Sequence, residues 1–186
     1  MRVVAYCARR YTKATEKICG REAVLYTCPP LTDGAFRLGR EHEAALYGYD
    51  VLVLNLHGFP NLPVWLGDDG QVALKAETLA GMDLNKVGVC AVNCYLGDEP
   101  SVMRNAVWQS GAAWLLAGAG ENYGGTVGMV GADVLIHHFL KALPGRTPEG
   151  ALVRAKRMAR VFAPQFSADH RRALKDALEF TITRRD

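Results

Sequence analysis

The run at residues 50–56, DVLVLNL, constrains this chain more than any other segment. Its valines and leucines follow one another without polar alternation, so neither face of the strand is meant for water. That pattern belongs to strands buried on both sides in a parallel sheet. A second run of the same kind, KVGVCAV, occupies residues 86–92. Further strands are expected over residues 2–7, 22–28 and 112–116. The second of these stops at Pro29-Pro30, because proline lacks the amide that a sheet interior needs.

Helical segments are expected between the strands. One covers residues 35–48 (AFRLGREHEAALYG), and a short turn lies near 76–82. Ser101 stands as candidate N-cap of a helix running to about residue 110. Three more are expected at about 126–143, 148–162 and 167–180, with a glycine-rich turn over 118–125. Strand–helix–strand alternation implies a mostly parallel α/β sheet with helices on both faces, a three-layer sandwich. At 186 residues, with no linker or repeat, the chain reads as a single domain over 1–186.

Composition removes several function classes. Apolar residues make up 49% of the chain and charged residues 22%, the balance of a globular protein with a packed core. No apolar run reaches the roughly 20 residues of a membrane span, and Met1-Arg2 opens no leader, so a cytoplasmic protein without a membrane partner is expected. Net charge is only +3. From Arg146 onward there are ten basic residues against five acidic, but no aromatic platforms lie between the charges. A nucleic-acid partner is therefore not expected. Five cysteines, an odd number without a Cys-x-x-Cys pair, suggest neither a disulfide framework nor a structural zinc site.

In open parallel sheets, chemistry gathers at the carboxyl ends of the strands. DVLVLNL ends in His57-Gly58, and KVGVCAV ends in Asn93-Cys94. Neighbouring parallel strands lie about 4.8 Å apart, so an imidazole and a thiol leave one sheet edge within reach of each other. A free thiol is mostly protonated at neutral pH, and an adjacent imidazole can activate it. Gly58 permits a tight turn, and its N–H together with that of Cys94 could form an oxyanion hole.

These residues and their surroundings resemble the caspase-fold cysteine peptidases, especially the CHAT-domain and gingipain-like branches. In them an apolar strand ends in His-Gly, a glycine-bearing loop follows, and a second apolar strand ends in the catalytic cysteine. The likeness covers about residues 50–160, from VLVLNLHGF through VGVCAVNCYLGDEP and SVMRNAVWQSGAAWLLAG to the closing helices. It implies a caspase-like sheet, with His57 as general base, Gly58 as oxyanion donor and Cys94 as nucleophile. Gly97 would match the glycine three residues after that cysteine. Asn93 departs from the small residue usual before the nucleophile, and Tyr95-Leu96 depart from the residues usual after it.

The resemblance implies a cysteine endopeptidase acting on a protein or peptide substrate without cofactor or metal, and it allows for an activating protein partner. Candidate substrate-binding residues differ in sign. Arg9, past the first strand, would favour an acidic side chain, whereas Asp98 beside Glu99 would favour a basic one. Asn122 and Tyr123 are expected in the pocket wall. Two other readings remain. One is a non-catalytic scaffold using the basic tail, and the other a nucleotide-binding module at the glycine-rich turn 118–126. That turn lacks both the G-x-G-x-x-G spacing and a Gly-Lys-Ser/Thr.

Overall fold

The computed structural model describes residues 1–33, 48–97 and 101–185. The helix expected over 35–48 lies, all but its last residue, outside them, as do Asp98 and Glu99.

The central strand is β3 (Val51–Asn55), fully buried along its length. It pairs in parallel with β1 (Val3–Ala8) on one side and β6 (Gly88–Ala91) on the other. This placement is what its unbroken apolar run requires. The six-stranded sheet continues outward to β2 (Val24–Cys28) beyond β1 and to β7 (Trp114–Ala117) beyond β6. Its order is β2-β1-β3-β6-β7-β8, parallel throughout except for β8 (Thr181–Thr183), which runs antiparallel to β7. Gly88 is the one residue type that fits its place in β6, since a Cβ there would lie 1.9 Å from Cζ2 of Trp114.

The pleat sends alternate side chains to opposite faces, and each face has its own core. Val3, Ala5, Val51, Val53, Cys90, Trp114 and Leu116 pack under α1 (Thr12–Cys19), α4 (Ala132–Ala142), α5 (Pro148–Phe162) and α6 (Ala168–Ala177). Val4, Tyr6, Leu52, Leu54, Val89 and Leu115 face α2 (Ala76–Ala80), α3 (Val102–Gln109) and a small hairpin. The protein is thus a mixed α/β fold, a six-stranded mostly parallel sheet between two helical layers. Among the described residues no helix is long and apolar enough to cross a membrane.

The helix starts follow capping chemistry legible in the sequence. Ser101 Oγ accepts from the Arg104 N–H at 3.3 Å, Thr147 Oγ1 from Gly150 at 3.2 Å, and Ser167 Oγ from His170 at 3.3 Å. Four features differ from expectation. The loop after His57 contains a hairpin, β4 (Val64–Leu66) with β5 (Val72–Lys75), closed by a 3₁₀ turn at Asp68–Gly70. Helix α1 follows β1, and it buries Ala14, Thr15 and Ile18. Helix α4 begins six residues after the expected start. Helix α6 ends at Ala177, because Phe180 enters the core and the chain turns back as β8.

Candidate active site

His57 and Cys94 leave the carboxyl ends of β3 and β6, adjacent parallel strands, and both line one cleft of about 300 Å³. The two strand ends are tied together by Asn93, whose Oδ1 accepts the Leu56 N–H at 3.3 Å. A small residue before the nucleophile could not make this tie. Asn93 is buried, and its own carbonyl accepts from Asn122 Nδ2 at 2.8 Å.

The His57 backbone is pinned by a two-way bridge to Leu66, with N···O distances of 2.8 and 2.9 Å. That bridge folds the β4–β5 hairpin back over the strand end and carries Asp68 to the imidazole. His57 Nε2 stands 3.9 Å from Asp68 Oδ1, which would pair with the ring when it is protonated. The Tyr11 ring flanks the imidazole with centroids 5.2 Å apart. Asp68 is itself buried and clamped by Arg10, whose backbone N–H donates to Oδ2 at 2.7 Å and whose Nε donates to Oδ1. Burial, and then the Arg10 charge, push the imidazole below its ordinary value, while Asp68 opposes them. The net direction favours the neutral imidazole.

Cys94 is half-buried. Its Sγ accepts the Asn122 N–H at 3.2 Å, and the thiol donates to the Asn122 carbonyl at 3.4 Å. Burial pushes the thiol up, the Asn122 N–H lowers it, and the Glu121 charge raises it further. The net direction is upward, so the thiol keeps its proton at neutral pH. Thiol and imidazole share the cleft, and the thiol's own hydrogen-bond partner is Asn122.

Gly58 packs directly on the Cys94 main chain. A Cβ at Gly58 would sit 2.4 Å from the Cys94 carbonyl oxygen and 3.2 Å from its nitrogen. This close approach leaves no room for a side chain at Gly58. After Cys94 the chain turns through Tyr95 at φ 61°. Tyr95 N–H donates to the Gly120 carbonyl at 2.7 Å and Gly97 N–H to that of Gly118 at 2.9 Å. The glycine-rich segment is therefore zipped to the turn after Cys94.

The structure brings together five of the seven expected site residues. His57, Gly58, Cys94, Asn122 and Tyr123 line the cleft. Arg9 is not among its lining residues; its Nε donates instead to the Pro29 carbonyl at 3.1 Å. Asp98 lies outside the described residues. Asp68, Tyr11, Tyr95 and Glu121 belong to the site without having been singled out. Asp68 lay in plain view within Asp68-Asp69-Gly70, but only the hairpin's fold-back shows where its carboxylate goes. Asn55 directs its amide to Thr15 Oγ1 at 3.1 Å.

Replacing Asp68 with asparagine keeps the shape and removes the charge that supports protonated His57. The expected result is a drop of about tenfold or more in Cys94 alkylation at neutral pH. The acid limb of the pH–rate curve should move lower, since Asp68 holds the imidazole pKa up. An acid limb unmoved by Asp68→Asn would remove Asp68 from this role.

Asp133, in the first turn of α4, explains the late start of that helix. Its Oδ2 accepts from Gly125 at 2.6 Å and Val130 at 3.1 Å, holding residues 125–130 as a loop. Of these two amides, that of Gly125 lies in the glycine-rich turn. The carboxyl is completely buried, and Oδ1 has no hydrogen-bond partner among the described residues. Burial raises it to about 7 from its ordinary 3.8, against the two N–H bonds. Between those values the folded chain binds a proton that the unfolded chain has released. Stability from this group is therefore full below the ordinary value and is lost as pH rises through about 7. Thermal melts across that window should show a decline that Asp133→Asn flattens. An identical decline in the variant would assign it to other groups.

Among the described residues no three His, Cys, Asp or Glu side chains gather as a metal ion would require. All five cysteines are free thiols.

Fold and cleft together define a mostly parallel α/β protein with an imidazole and a thiol at one sheet edge. No family model matches this chain, and no curated protein matches it. A solved flavodoxin of Streptococcus pneumonia TIGR4 aligns over 89% of this chain and 98% of its own, at 11% identity and a TM-score of 0.34. At that score the likeness assigns neither a fold family nor a function.

Proposed function

We propose that this protein is a cysteine endopeptidase of the caspase-like type, with His57 and Cys94 as its dyad. The observation that carries this reading is the convergence of both side chains, from adjacent strand ends, on one cleft where Gly58 rests against the Cys94 main chain. Cys94 Sγ attacks the scissile carbonyl carbon while its proton passes to the neutral His57 ring. The carbonyl oxygen becomes an oxyanion and is met by the N–H groups of Gly58 and Cys94. Collapse of this intermediate breaks the C–N bond, and His57 gives its proton to the leaving amine. Water then attacks the thioester, losing a proton to His57, and the acid departs as the thiol regains its proton. Every step uses the two side chains, the two backbone N–H groups and water. Free thiols at all five cysteines suit a reducing compartment, which supports a cytoplasmic site of action.

Intact mass after treatment with peptide acyloxymethyl ketones tests the reading. One adduct, on Cys94 and dependent on His57, is the expected result. Adducts scattered over other cysteines, or none with any peptide, would overturn it in favour of a non-catalytic scaffold.

A further inference from the structure

The His57–Cys94 cleft has an uneven charge. Among its described lining residues, Glu121 is the one Asp, Glu, Lys or Arg side chain. Its two carboxylate oxygens are separately positioned. The Tyr95 hydroxyl donates to Oε1 at 3.2 Å and the Tyr123 hydroxyl to Oε2 at 2.7 Å. Both phenols line the same cleft. A carboxylate offers about four lone-pair sites, so two phenols orient it and leave room for a further donor.

Its placement follows from the turn that presents the nucleophile. Asn122, the residue after Glu121, makes both backbone contacts to Cys94 Sγ. Tyr95, the residue after Cys94, returns its phenol to Glu121 from a left-handed backbone. Thiol and carboxylate thus sit on two segments locked to each other. Two of the nearby arginines have other partners. Arg9 is turned to the Pro29 carbonyl, and Arg10 is clamped on Asp68. Arg172 lines an adjoining cavity of about 650 Å³ together with Asp169 and His170; that cavity meets the cleft at Tyr123 and Gly124.

We propose that Glu121 is the counter-charge for a cationic side chain of the substrate, an arginine or lysine beside the bond to be cut. The proposal rests on the peptidase reading and names its substrate class. A guanidinium suits the site best, since its planar fork can reach both oxygens of an oriented carboxylate. The same contact bears on reactivity. The Glu121 charge opposes ionisation of Cys94, and a cation seated on it removes that opposition. A peptide with an acidic residue at this position is repelled and leaves the thiol in its less reactive form.

The test uses the whole chain and two kinds of probe. Rates of Cys94 modification are measured with a cationic trimethylammonioethyl and an anionic sulfonatoethyl methanethiosulfonate. Each rate is divided by that with free cysteine and read from the mass of the Cys94 peptide. Arginyl, aspartyl and leucyl acyloxymethyl ketones are run beside them, with His57→Ala as control. The cationic reagent should win by about tenfold or more, Glu121→Gln should bring the ratio near one, and Glu121→Lys should reverse it. The arginyl ketone should likewise outpace the aspartyl one, and the order should invert in Glu121→Lys.

A charge ratio indifferent to both substitutions, or an anionic preference in the native chain, overturns the cation site. The His57→Ala control judges the peptidase reading separately. Ketone adducts that ignore His57, with a charge ratio that follows Glu121, sink the peptidase and leave the cation site standing. His57-dependent adducts with a ratio that ignores Glu121 do the opposite.

Discussion

Cys94→Ala should abolish peptide cleavage and ketone capture, and His57→Ala should slow both by about 10²- to 10⁴-fold at neutral pH, the range a positioned general base supplies. The large His57 effect follows from the direction of two shifts. Burial holds the thiol above its ordinary value, and burial with the Arg10 charge holds the imidazole below its own. The thiol therefore cannot ionise unaided at neutral pH, and the ring is free to accept its proton. The His57→Ala deficit should shrink as pH rises past the thiol's raised value, because thiolate then forms without a base. Reaction of Cys94 with iodoacetamide from pH 6 to 11 checks this without any peptide. Equal rates in native chain and His57→Ala at pH 7 would show the two side chains to be uncoupled.

Gly58→Ala should cost about 10²- to 10³-fold in turnover, the loss seen when one oxyanion donor is removed. One methyl group has this effect because of what it meets. The added Cβ would lie 2.4 Å from the Cys94 carbonyl oxygen and 3.3 Å from its carbonyl carbon, and neither can swing away as a side-chain tip would. Either the His57–Gly58 segment or the nucleophile turn must move, and both carry the reacting groups. Gly128→Ala is the matched control, since a Cβ there meets nothing within 4 Å, and it should leave the rate unchanged. Cleavage rates for both variants, with melting temperatures to follow the fold, make the comparison. An undiminished rate in Gly58→Ala would fit an open loop with no oxyanion role.

Some of the site could be read before folding because it follows from strand burial. A strand without a polar face has to lie inside a parallel sheet, and β3 and β6 do so as neighbours. Their carboxyl ends then locate His57, Gly58 and Cys94 with little help from the rest of the chain. The helix cap at Ser101 was open to inspection for a similar reason, since a cap bonds an amide three residues away. Asn122 and Tyr123 could be placed because they follow a strand of the same sheet. Arg9 follows a strand as well, yet it turns to the Pro29 carbonyl. Position after a strand brings a residue to the right edge and does not decide which way its side chain leaves.

The partners of the dyad were set at longer range. Asp68 reaches His57 through a hairpin whose strands have three and four residues, too short for periodicity to show. Glu121 reaches the cleft because residues 118–122 are bonded to the nucleophile turn, a contact that exists only when both loops are in place. Strand β8 owes its existence to the burial of Phe180, which ends helix α6 early, and α4 starts late because Asp133 bonds the preceding loop. The amino-acid sequence by itself determined the layers, the central strands and the strand ends that carry His57 and Cys94, because these depend on local hydrophobic pattern. Tertiary structure alone decided which charges face them, since a carboxylate's neighbours depend on where distant loops close.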